Sequence, residues 1–194
     1  MATAQSPFKS NEHTFTPREL SSPNKDSPVI AKTVYAHVSK FHSYLNDWIK
    51  LHEKGIKLCK TISALKLHEC DNDYYPLQLK QISESLINTV NSFKDIIEGI
   101  VVVNNQLKAL GQLPPIDQPV ISTWTAQQIS DSVDKTLLAL QQEFKLKSIV
   151  LENICHCRDE KLIEVYVSAW EFDVYLNMGS NAYLFADVGL SMIL

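Results

Sequence analysis

The sequence predicts an all-α protein: an elongated helical bundle or coiled coil of three long helices plus one or two shorter C-terminal helices, behind a disordered N-terminal tail. Three observations carry this. Only five glycines occur in 194 residues, too few for a turn-rich sheet protein. The eight prolines fall at Pro7, Pro17, Pro23 and Pro28, and then at Pro76, Pro114, Pro115 and Pro119, so residues 29–75, 77–113 and 120–194 are free of helix breakers. Each of those stretches repeats apolar residues in steps of three and four, the period of a helix face.

Residues 1–28 are rich in Ser, Thr, Pro, Asn and Lys and balance Lys9, Arg18 and Lys25 against Glu12, Glu19 and Asp26. Such a segment has little apolar surface to bury, so a disordered tail is expected, with residues 29–194 as the helical domain. Ser6-Pro7-Phe8-Lys9 and Ser22-Pro23-Asn24-Lys25 have the pattern read by cyclin-dependent kinases, and Thr16-Pro17 and Ser27-Pro28 are weaker proline-directed steps. Ser6, Thr16, Ser22 and Ser27 are therefore candidate phosphorylation sites, each able to add negative charge to the tail.

In the first helix Val34, Val38, Phe41, Leu45 and Trp48 step 4-3-4-3, and Ile56, Ile62 and Leu65 continue that side beyond Gly55, where a kink is expected. The second is the most regular: Leu79, Ile82, Leu86, Thr89, Phe93, Ile96, Ile100, Val103, Leu107 and Leu110 alternate threes and fours. Pro76 suits its start and Gly111 its end. Ile87, Val90 and Ile97 widen its apolar stripe, which favours packing in a bundle over a two-stranded zipper. Burial of Leu86, Phe93, Ile100 and Leu107 is the corresponding expectation.

After a connector from Gly111 to Pro119, Thr125 and Gln128 form a capping-box pair. Val133, Leu137, Leu140, Phe144, Leu151 and Ile154 supply the face of the third helix. Val165 to Trp170 has strand-favouring residues, but Leu162, Tyr166, Ala169, Trp170 and Asp173 share a helical face, so a further helix is expected.

A net charge of −4 and a pI near 5.8 argue against direct nucleic-acid binding. No apolar run reaches membrane-spanning length, and Met1 to Phe15 has no apolar leader core. Cys59, Cys70, Cys155 and Cys157 are expected as reduced thiols. Cys155-His156-Cys157 suggests metal ligands, but consecutive residues on a helix diverge by about 100°, so no metal site is expected. There is no glycine-rich phosphate loop or nucleophile elbow, and His37, His42, His52 and His68 lack metallohydrolase spacing. Neither cofactor nor catalytic residue is expected. Lys50, Lys54, Lys57 and Lys60 read as a solvated face. Trp48, Trp124, Tyr166, Trp170 and Tyr175 are the candidate partner-binding residues, with core packing the favoured role for any one of Trp124, Tyr166, Trp170 and Tyr175.

Trp48-Ile49-Lys50-Leu51 with Gly55 beyond, the long central heptad helix, and Thr123-Trp124 resemble the cyclin-dependent kinase 2-interacting protein family. His156, Asp159, Leu162, Tyr166, Ser168, Trp170 and Tyr175 also fall at that family's spacings. The likeness covers about residues 30 to 176, with Thr16-Pro17-Arg18 matching further upstream. The break near Asp159 lacks the family's glycine and proline, and Phe172-Asp173-Val174 stands where the family has His-Gln-Pro. The resemblance implies a nuclear, non-catalytic adaptor for cyclin-dependent kinase 2, the Cdc7 kinase and the ATR kinase complex. It also implies an assembly with a heterohexamer of AAA ATPases and a small helical subunit, acting in DNA replication, checkpoint signalling and ribosome biogenesis. The central helix alone fits equally a coiled-coil subunit of a cytoskeletal, centrosomal or kinetochore complex. A small helical enzyme would instead need Cys, His and acidic residues joined in a buried polar pocket.

Overall fold

In a computed structural model, residues 27–68, 76–113 and 118–191 are described. The candidate sites Ser6, Thr16 and Ser22, and Cys70, lie outside them. Five α-helices dominate: α1 (Ser27–His68), α2 (Leu77–Gly111), α3 (Ala126–Ile154), α4 (Glu160–Glu171) and α5 (Ala182–Asp187). The all-α expectation holds.

Helix α1 begins at Ser27, two residues before the expected domain boundary, and Pro28 falls in its first turn, where the missing N–H costs nothing. Its Val34, Val38, Phe41, Leu45 and Trp48 are wholly buried, as a 4-3-4-3 stripe requires. The helix runs on through Gly55, and packing accounts for the glycine: a Cβ there would lie 2.2 Å from Cζ2 of Trp170. Gly99 of α2 meets the ring of Tyr44 in the same way, at 2.4 Å. These two bare backbone patches let aromatic rings approach α1 and α2 closely.

Pro76 is the N-cap of α2, and Leu86, Phe93, Ile100 and Leu107 are all wholly buried. Thr89, the one polar member of the stripe, is buried too and donates its hydroxyl to the Ser85 carbonyl at 2.9 Å. Val90 and Ile97 widen the buried face as expected, whereas Ile87 is exposed. Helix α2 packs against both α1 and α3, so two flanks of the helix are covered and Ile87 lies on the third. Asn104, 2% exposed, and Lys108 both donate to Oδ1 of Asp134 at 2.7 Å, a polar contact that fixes the α2–α3 register.

Between α2 and α3 lies a short hairpin absent from the sequence reading, β1 (Pro119–Ile121) and β2 (Trp124–Thr125), paired antiparallel. Ser122 at its tip has φ 47°, a left-handed conformation that two-residue hairpin turns demand. Thr125 caps α3: its hydroxyl accepts from the Gln128 amide, and the Gln128 side chain accepts from the Thr125 amide.

Helix α3 ends at Ile154, and residues 155–157 form the turn into α4. Cys155, His156 and Cys157 are therefore not consecutive helical residues, contrary to the expectation. Cys155 is buried and hydrogen-bonds Ser83, while Cys157 lies partly open in the turn. Asp159 starts α4 by accepting from the Lys161 and Leu162 amides, as an N-cap does. The strand-favouring run from Val165 to Trp170 is helical within α4. There Ile163 and Trp170 are buried against α1 and α3.

Beyond α4 the chain returns along α3. Asn181, 1% exposed, donates to Thr136 and accepts from Ser132, both at 2.8 Å. Phe185 of α5 packs on Phe41 and His42 of α1, with ring centroids 5.8 and 4.9 Å apart. No described helix is long and apolar enough to cross a membrane.

Candidate functional site

The five candidate partner-binding residues divide between interior and surface. Trp48 and Trp170 are both 0% exposed. Trp48 packs on Phe93 at a centroid distance of 4.3 Å, and Phe93 lies 6.2 Å from Trp170, so these aromatics join α1, α2 and α4. In this fold both are core residues. Tyr166 is half-buried against the same core. Trp124 and Tyr175 remain accessible, with Tyr175 54% exposed.

Trp124 and Tyr175 border a surface groove of about 710 Å³. One wall is a single face of α3, with Gln128, Asp131, Ser132, Lys135, Thr136 and Ala139. The opposite wall is the returning chain, Tyr175, Leu176, Asn177 and Ser180, and Thr123 with Trp124 lie at the hairpin end. The indole N–H of Trp124 donates to Oδ2 of Asp187 in α5 at 2.8 Å, which fixes the ring. Asp131 accepts from Gln127 at 2.8 Å. Aromatic surface, hydroxyls, amides and one charge of each sign suit a short extended peptide better than a purely apolar helix.

Beneath Trp170 lies a buried charge cluster. Glu143 and Lys147 of α3 are both 0% exposed and 3.6 Å apart. The Lys147 ammonium also donates to Asp173 Oδ1 at 3.2 Å and to the Trp170 carbonyl at 3.4 Å, and stands 5.4 Å from the centroid of that indole. Glu143 Oε1 accepts the Tyr175 amide at 2.5 Å. Both ions are thus occupied in holding residues 173–175 onto α3, which places Tyr175 at the groove. His52 completes the cluster, its Nδ1 3.6 Å from Asp173 Oδ1. The indole N–H of Trp170 donates to the His52 carbonyl at 3.3 Å.

Burial first, and then the Lys147 ammonium, lower the pKa of His52, against the opposing pull of Asp173 and Glu143. His52 is consequently neutral near pH 7. Cys59 is buried among apolar neighbours, and its thiol is pushed up to about 12. A thiol so far from ionising is no nucleophile. Among the described residues no group of three or more His, Cys, Asp or Glu side chains is placed to hold a metal.

Sequence reasoning missed Glu143, Lys147, Asp173 and His52. A signal for the first two exists: Ile129, Val133, Thr136, Leu140, Glu143, Lys147, Val150 and Ile154 alternate fours and threes without a slip, and all eight are buried. Following apolar residues alone displaced the expected face onto Phe144 and Leu151, which are only half-buried.

No family model matches the chain. It is similar to cyclin-dependent kinase 2-interacting protein from Bos taurus, with 21% identity over 179 residues, covering 78% of this chain and 84% of that protein.

Proposed function

We propose that the chain is a non-catalytic, nuclear adaptor that binds a cyclin-dependent kinase, with the groove between Trp124 and Tyr175 as its docking surface. The observation that carries the reading is the similarity to a cyclin-dependent kinase 2-interacting protein over 78% of the chain, a span that includes most of the helical bundle. Cyclin-dependent kinase 2 is the partner proposed first. The wider reading includes the Cdc7 kinase, the ATR kinase complex, and an AAA ATPase heterohexamer with its small helical subunit, in DNA replication, checkpoint signalling and ribosome biogenesis.

The groove supports a binding role because its two aromatic borders are held from behind. Trp124 is tied to Asp187, and the Tyr175 backbone is tied to buried Glu143. Pre-set aromatic surfaces lose little entropy on binding. Affinity capture from nuclear extract, comparing the intact protein with a Trp124→Ala, Tyr175→Ala variant of unchanged helical content, tests this. The reading expects kinase and AAA ATPase recovery that the variant loses. Capture of cytoskeletal proteins alone would overturn it.

A further inference from the structure

We infer that the groove on α3 is a docking site for the chain's own N-terminal segment Phe15-Thr16-Pro17-Arg18-Glu19-Leu20, so that it is occupied from within until a partner displaces it. The inference uses the groove proposed above as the docking surface, but it does not depend on which protein binds there.

The first argument is where the N-terminal segment leaves the bundle. Tyr44 of α1 meets Gly99 of α2, and Trp48 meets Phe93, so α1 and α2 run antiparallel with the start of α1 beside the end of α2. Gly111 meets Gln127, and Lys108 meets Asp134, so the end of α2 lies beside the start of α3. Ser27 is thereby brought to the level of the hairpin, at the Trp124 end of the groove. The packing of β1 on α1 agrees. Twenty-six residues precede Ser27 in the sequence. The seven-residue step from Leu20 to Ser27 spans up to about 23 Å when extended, against a helix diameter of roughly 10 Å. The segment reaches the groove, and tethering presents it at a millimolar effective concentration.

The second argument is complementarity. The groove offers an anion and a cation one helical turn apart, Asp131 and Lys135, and Lys135 has no ion-pair or hydrogen-bond partner among the described residues. Arg18 and Glu19 stand next to one another in the segment with the matching signs. Phe15 and Pro17 before them and Leu20 after them are the residues for the Trp124 and Tyr175 ends, since proline in an extended segment packs well on aromatic surfaces. From Gln128 to Ala139 the α3 wall is about 16 Å long, which matches the five steps of about 3.1 Å each between the first and last of the six residues when extended.

The test uses the full chain, purified alone, with a benzophenone amino acid in place of Thr123, an exposed position at the groove's hairpin end. After irradiation, the expected product is a monomer cross-linked to a peptide containing residues 15–20. Lys135→Glu lowers the yield about fivefold, the effect of roughly 1 kcal/mol from one ion pair. Lys135→Glu combined with Glu19→Lys restores it. Circular dichroism confirms that each variant is folded. Absence of any cross-link to residues 1–26, cross-links only between chains, or a yield indifferent to Lys135→Glu overturns the inference. Because no kinase is present, these outcomes stand apart from the kinase-binding proposal.

Discussion

Trp170 lies with its indole against the bare backbone of Gly55, so close that a Cβ at Gly55 would sit 2.2 Å from the ring. The ring is wholly buried, and its N–H is spent on the His52 carbonyl, so it cannot step aside freely. Gly55→Ala is expected to destabilise the protein by about 1–3 kcal/mol through overpacking. Helix propensity alone would give the opposite sign, a gain of about 1 kcal/mol. Urea unfolding of the two proteins decides between them.

The buried ions of α3 lead to a second expectation. Lys147→Met leaves Glu143, 0% exposed, without its cation and removes a tie to Asp173. The loss should be about 3–5 kcal/mol, whereas Lys147→Met together with Glu143→Gln should cost less than the sum of the single changes. A double-mutant cycle in chemical denaturation measures the difference; additivity would show that the two charges do not interact.

His52 supplies a pH dependence. Its folded-state pKa lies below the ordinary 6.5, so as pH falls through 6.5 the unfolded chain takes up a proton before the folded one does. This contribution to stability is complete above pH 6.5 and is lost progressively below it. Thermal unfolding from pH 7.5 to 5 should show a steeper decline for the native sequence than for His52→Gln. Parallel declines would contradict the assignment.

Cys59 and Cys155 are buried, whereas Cys157 is partly open. Brief iodoacetamide treatment of the native protein at pH 8, read by peptide mass spectrometry, should modify Cys157 well before Cys59, whose pKa is raised to about 12. Equal rates would mean that the α1–α3 packing is open in solution.

Much of this architecture was legible in the residues. The stripes through Val38 and Phe93 specify buried faces because every third or fourth residue repeats the same environment, and Thr125 with Gln128 announces the start of α3 through a local exchange of hydrogen bonds. Trp48 also lay in a core register, which marked it as interior. What local pattern hides is the tertiary pairing. The register of α3 puts Glu143 and Lys147 on its buried face, but their partners Asp173 and the Tyr175 amide come from the returning chain, which no local pattern shows. The groove is equally non-local: Trp124 and Tyr175 are far apart in sequence, and only the fold places them on one surface. The hairpin between α2 and α3 is too short to show a period of two.

The central claim is that this bundle binds a kinase through the surface bordered by Tyr175, and titration calorimetry with purified cyclin-dependent kinase 2 tests it most directly. The account predicts saturable binding by the native chain, weakened about tenfold by Tyr175→Ala, as loss of an exposed aromatic contact worth about 1.4 kcal/mol requires. No saturable binding by the folded native chain, or an affinity unchanged by Tyr175→Ala, would contradict it.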